Sequence, residues 1–202
     1  MDADQDSISR YFEGLYRAGQ KPWTLHDPGS LLESFFDKLK EEFGNAKVLD
    51  IGCGNGWISL MVAKRGHQVW GIDSSETAIL EAKGLSEKAN VSNLTHFEVG
   101  NALDLPYKDN FFEGLVDRGL FHHILPKNRN LYLENIKRVL KPESLVYLSV
   151  FSMENPEGIG QRFTKDKIES IFGEIFSIDT YDEDPFPPDS PAHLLHFILR
   201  RK

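Results

Sequence analysis

Three glycines at alternate positions, Gly52, Gly54 and Gly56, follow an apolar run that contains the acid Asp50; residues 48–57 read VLDIGCGNGW. A strand, a glycine turn and a helix N-terminus in that order bring backbone N–H groups and the positive helix end to one point, where they can meet an anionic or zwitterionic ligand. Glycine permits the close approach of backbone to ligand that such a loop requires. The spacing separates the ligand classes. A dinucleotide loop needs a third glycine where this chain has Trp57, and the string G-x-x-x-x-G-K-[ST] of a phosphate-cradling loop does not occur. Asp50 would also repel a pyrophosphate. A second acid, Asp73, ends the next apolar run, with Ser74 beside it.

Farther along, His122 and His123 follow Leu120 and Phe121. An imidazole at such a place can accept a proton from a nucleophile or hydrogen-bond to it. Adjacent side chains in a loop diverge, so one of the two, His123, is the candidate, and the lack of further ligands argues against a metal. Cys53 is the only cysteine. It can form no intramolecular disulfide and reads as a small residue in a tight turn.

These residues need rigid elements to hold them. Apolar periodicity alternates between strand-like runs and helix-like spacing, which predicts an α/β Rossmann-like fold: a doubly wound, seven-stranded, mostly parallel sheet with helices on both faces. The strand candidates are KVLDI, HQVWGID, LTHFEV, FEGLVD, SLVYLSVFS, FSIDTY and HLLHFILR. Helical spacing marks WISLMVAKR, ETAILEAKGLSEKA and NRNLYLENIKRVL, the last closed by Lys141 and Pro142. In SLLESFFDKLKEEF, Leu31, Leu32, Phe35, Phe36, Leu39 and Phe43 fall on one face, with Asp27 and Pro28 as the expected start. Only DEDPFPPDSPA separates the last two strands, too little for a parallel crossover, so an antiparallel C-terminal pair is expected.

The pattern acid-x-G-x-G-x-G with Asp73 after the second strand resembles the class I S-adenosylmethionine-dependent methyltransferases, over roughly residues 45–152. The resemblance implies that the loop Asp50, Gly52, Cys53, Gly54 and Gly56 wraps the methionine part of S-adenosyl-L-methionine, while Asp73, with Ser74, takes the ribose. In VGNALDLPY, Asn101 and Ala102 would meet the adenine, Asn101 standing where the family usually has Asp. In GLVDRGLFHHI, Asp117 and Arg118 would border the methionine end. The N-P-P-Y type string of methyltransferases that act on planar amino groups is absent from that position. The opening YFEGLYRAGQKPWTLHDPG and the later GQRFTKDKIESIFG resemble the thiopurine and tellurite-resistance type of small-molecule methyltransferase. By that resemblance Tyr11 and Trp23 cover the cofactor and Arg162 contacts the substrate.

The expected activity is methyl transfer to a small molecule such as a thiol, a chalcogen oxyanion or a similar soft nucleophile, with His123 and Arg162 as its residues. An oxygen or nitrogen acceptor, or a noncatalytic cofactor-binding module, are the competing readings; Trp57 speaks against a nicotinamide oxidoreductase. The net charge of -8 and scattered basic residues argue against nucleic acid as a partner. No apolar run reaches bilayer length and the acidic opening lacks a signal-peptide pattern, so a cytoplasmic protein is expected, a monomer or weak homodimer. One domain spans 1–202, with 1–27 as a lid or strap, 45–152 as the cofactor core, and 153–202 as a helix and antiparallel strand pair.

Overall fold

The computed structural model describes residues 4–21, 23, 29–185 and 193–202. The expected helix start at Asp27 and Pro28, and most of the proline-rich loop before the last strand, lie outside the described residues. Seven strands form one sheet in the order β3-β2-β1-β4-β5-β7-β6: β1 (Lys47–Ile51), β2 (Gln68–Asp73), β3 (Thr95–Val99), β4 (Phe112–Arg118), β5 (Leu140–Phe151), β6 (Phe176–Pro185) and β7 (His193–Arg201). The first five pair in parallel, and β7 runs antiparallel between β5 and β6. All seven expected strands are present, with the predicted antiparallel end.

The central strands are near-continuous apolar runs because both sheet faces are covered. On one face, α2 (Ser30–Phe43) buries Leu31, Leu32, Phe35, Phe36 and Leu39 against Val48, Tyr147 and Ile198. Each such side chain stabilises the fold by about 1.5–3 kcal/mol relative to exposure. α3 (Trp57–Lys64) follows the glycine loop and adds Ile58 and Val62 to the same core. On the other face, α5 (Arg129–Val139) inserts Tyr132, Leu133 and Ile136, and α6 (Lys165–Phe172) adds Ile168 and Phe172. α4 (Glu76–Lys88) is started by the Ser75 hydroxyl, which accepts from Ala78 N–H at 3.0 Å.

One boundary differs from expectation. α5 ends at Val139, and Lys141 and Pro142 belong to β5. The register jumps from Phe112↔Leu140 to Gly114↔Leu145, so β5 bulges where Pro142 has no ladder donor and Glu143 takes φ 63°.

The N-terminal α1 (Gln5–Arg17) adds no strand or core layer; it lies across the C-terminal ends of the parallel strands. Strand order reverses between β1 and β4, and the crevice that opens outside their carboxyl ends is where ligands bind in folds of this type. No helix among the described residues is long and apolar enough to cross a membrane.

Candidate functional site

A single continuous cleft occupies that crevice, running from the end of β2 to a chamber between α1 and the ends of β4 and β5. At one end stands Asp73. Its Oδ2 accepts from Gly54 N–H at 2.8 Å and its Oδ1 from Ser75 N–H at 2.9 Å. Burial pushes its carboxyl above the usual range, against these backbone donors. Ser74, Asn101 and Ala102 line the wall beside it. The Asn101 Oδ1 accepts from Leu103 N–H at 2.9 Å, which holds the turn after β3 in place.

The glycine loop is built differently from the sequence expectation. Only Gly52 lines the cleft. The amides of Gly52 and Cys53 donate to the Ile72 carbonyl at 2.8 and 3.1 Å, that of Gly54 to Asp73, and that of Gly56 to the Cys53 carbonyl at 2.9 Å. All three glycines have positive φ, between 53° and 76°. A Cβ on Gly56 would sit 2.8 Å from Phe97 and 2.9 Å from Ala82, and one on Gly54 would collide with the Tyr16 hydroxyl. Gly54 and Gly56 are thus required by packing and backbone conformation, and the loop's cohesion binds β1 to β2.

Two expected acids lie behind the cleft wall. Asp50 is 3% exposed and accepts from Ser59 Oγ at 2.6 Å; burial raises its pKa to about 7. Asp117, fully buried, accepts from Leu120 N–H, Phe121 N–H and the Tyr132 hydroxyl at 2.8, 3.1 and 2.6 Å. Burial outweighs these donors and holds its carboxyl at about 6. Asp117 pins the turn that carries the histidines.

That turn, Phe121–His123, is a 3-10 helix, and its two histidine side chains come together against the expected divergence of neighbours. The imidazoles of His122 and His123 are 4.3 Å apart and both line the cleft. His122 stacks on Phe151 at 3.9 Å and 20°, and His123 meets Phe12 edge-on at 4.7 Å. Burial lowers His123 to about 4 and His122 well below the usual imidazole range. Both Nδ1 atoms, and the Oγ of Ser149 on β5, are buried without a hydrogen-bond partner among the described residues.

α1 closes the opposite wall through Gln5, Ile8, Ser9, Phe12 and Tyr16, one helical face. Its ends are tied to both halves of the sheet. Gln5 Nε2 donates to the His123 carbonyl at 3.1 Å, and Gln5 Oε1 accepts from Leu125 N–H at 3.1 Å. Twelve Ångströms of helix later (about 1.5 Å per residue), Glu13 accepts from the hydroxyls of Ser75 and Thr77 at 2.6 and 2.8 Å. Those bonds draw the Glu13 carboxyl down to about 2, the Ser75 hydroxyl contributing most. The buried Tyr16 hydroxyl accepts from Trp23 Nε1–H at 3.2 Å.

Of the residues singled out in the sequence, Trp23, Gly52, Asp73, Ser74, Asn101, Ala102, Arg118 and His123 meet at the cleft. Asp50, Cys53, Gly54, Gly56 and Asp117 support its wall from behind. Tyr11 does not reach it: at 46% exposure it leans edge-on against Phe12, one helical step off the inward face. Arg162 does not line it either. Its guanidinium donates to the carbonyls of Pro156, Gly158 and Gly160, so it ties together the loop 156–162. That loop sits against the histidines, since a Cβ on Gly160 would be 3.0 Å from each ring. The inward face of α1 was missed, although positions 5, 8, 9, 12 and 16 recur at helical spacing. Ser149 and Phe151 gave no signal within an apolar strand.

The cleft fits S-adenosylmethionine: it offers a carboxylate at Asp73 to a ribose diol, Ile72, Ala102 and Leu120 as apolar surface, and bare backbone at Gly52 and Gly119. Residues 48–143 match the family described as a methyltransferase domain. The chain is 29% identical to the 2-heptyl-1-hydroxyquinolin-4(1H)-one methyltransferase of Mycobacteroides abscessus, over 72% of this chain and 66% of that protein. It is 30% identical to the O-methyltransferase resE of Aspergillus sclerotiorum, over 76% of this chain and 52% of that one. It therefore spans about half to two thirds of the length of these curated relatives. Among solved structures, Burkholderia thailandensis 1,6-didemethyltoxoflavin-N1-methyltransferase, with 1,6-didemethyltoxoflavin and S-adenosylhomocysteine bound, superposes with a TM-score of 0.82 over 100% of this chain and 92% of that one, at 22% identity. That likeness is one of fold.

Proposed function

We propose that this chain, with its methyltransferase-type domain over residues 48–143, transfers a methyl group from S-adenosylmethionine to a small planar acceptor. The observation that carries the reading is the two-ended cleft: Asp73 at one end, and at the other a chamber walled by the rings of Phe12, Phe151, His122 and His123 beneath α1. When bound, S-adenosylmethionine supplies an electrophilic methyl on a positively charged sulfur. Asp73 and Ser74 would hold its ribose, the stretch 100–102 its adenine, and Gly52, Gly119 and Arg118 its amino-acid end. α1, tied down by Gln5 and Glu13, excludes water from the reacting groups and limits the acceptor's orientations.

His123 is held near 4 and is uncharged at neutral pH. It adds no positive charge beside a sulfonium, and it hydrogen-bonds an acceptor better than it deprotonates one. We assign it a positioning contact to the acceptor. Arg162 then shapes the loop over the histidines and acts through them. Relatives named for hydroxyquinolinone, O-methyl and N-methyl transfer favour an oxygen or nitrogen acceptor; a thiol or chalcogen acceptor is supported only by the short motifs of residues 11–29 and 160–173.

Calorimetric titration with S-adenosylmethionine and, separately, with NAD tests the cofactor. S-adenosylmethionine should bind, and Asp73→Ala should weaken it by about 1–3 kcal/mol through lost charged hydrogen bonds. Binding of NAD alone, or unchanged affinity in a folded Asp73→Ala protein, would end this reading of the cleft.

A further inference from the structure

The acceptor end of the cleft has its own chemistry. Two aromatic pairs form its sides, Phe12 with His123 and Phe151 with His122. Ile8 and Leu194 complete an apolar shell. Three polar atoms inside it, the two Nδ1 atoms and Ser149 Oγ, are buried without partners among the described residues. Buried polar groups are satisfied in nearly all native proteins, and these three belong to residues that line the cleft. Ser149 stands in register with Arg118 on the neighbouring strand, where the acceptor end borders the cofactor's amino-acid end. Among the described residues lining the cleft, Asp73 is the only carboxylate, and it belongs to the opposite end.

We propose that this end recognises a planar aromatic compound bearing an acidic hydroxyl, taken up as its oxyanion, and that the Ser149 hydroxyl is a specificity-determining donor to that oxygen. The proposal rests on the methyl-transfer reading above and narrows it. An ammonium would find no carboxylate among the described residues lining this end. An oxyanion finds a hydroxyl donor and imidazole N–H groups, and flat aromatic walls suit a flat ring. The hydroxyl proton leaves to water before binding; the oxygen lone pair would then form the O–CH3 bond as the S–CH3 bond breaks, its electron pair staying on the sulfur of the departing S-adenosylhomocysteine. No strong base is needed, which agrees with histidines held uncharged by burial.

Competition among three ring-sized probes tests this on the full chain loaded with S-adenosylhomocysteine: 7-hydroxycoumarin, followed by its fluorescence near pH 8, 2-decalol as a saturated alcohol, and 2-naphthylmethylamine as a cation. The hydroxycoumarin should bind at least about tenfold more tightly than either, and Ser149→Ala should weaken it by about tenfold while leaving S-adenosylhomocysteine affinity unchanged. Equal or tighter binding of the amine overturns the charge preference, equal binding of the decalol overturns the aromatic one, and an unaffected Ser149→Ala removes Ser149. Binding of none of the three overturns the acceptor class as a whole. Failure to bind S-adenosylhomocysteine is a separate result and falls on the methyl-transfer reading itself.

Discussion

At the scale of single residues, the acids around the cleft differ in what water they see. Asp50 and Asp117 are buried behind the wall and pushed up to about 7 and about 6, so the folded protein holds their protons more tightly than the unfolded chain, where carboxyls titrate near 4. Between about pH 4 and 7 the folded state therefore binds more protons than the unfolded one, and this contribution to stability falls as pH rises. Asp50→Asn should flatten that part of the profile while retaining an acceptor for Ser59. Denaturant melts of both proteins at pH 5 and 7.5 check it, and an identical pH slope in the two would show that Asp50 does not titrate as its burial implies. The importance of these residues was legible as a motif. Their roles were not, because acid-x-G-x-G-x-G does not tell whether a side chain faces a ligand or a neighbouring helix.

At the scale of elements, α1 is decisive. Aromatics and turn residues marked residues 1–27 as a lid or strap, but which helical face turns inward depends on anchors distant in sequence: Gln5 to the 123–128 turns and Glu13 to the start of α4. Tyr11 sits one residue, about 100° of helical turn, off the face on which Phe12 and Tyr16 meet the cleft. Glu13→Ala should release the helix from α4 at about 1–3 kcal/mol of docking energy. Hydrogen exchange should then speed up across 5–17 with the amides of β1 and β4 unchanged; uniform acceleration through the core would instead make α1 part of the global fold. The Glu13 carboxyl is held near 2, below its unfolded value near 4.5, so its contribution is complete above about pH 4.5 and is lost as pH falls toward 2.

At the scale of the whole molecule, a ligand that bridges Asp73 and the aromatic chamber touches the ends of all five parallel strands and α1, so binding is linked to global unfolding. S-adenosylhomocysteine at about a hundred times its dissociation constant should raise the unfolding free energy by about 2.7 kcal/mol, read from denaturant melts with and without ligand. No shift at saturating ligand would mean that the cleft does not hold it. By itself, the sequence determined the seven strands, their antiparallel end and the glycine turn, because these follow from local periodicity, from loops too short for a crossover and from φ angles open to glycine. Only the tertiary structure decided which side chains share the cleft. Gln5, Phe12, Ser149 and the paired histidines lie up to 144 positions apart in the chain and meet through strand register and helix docking, which no local pattern encodes.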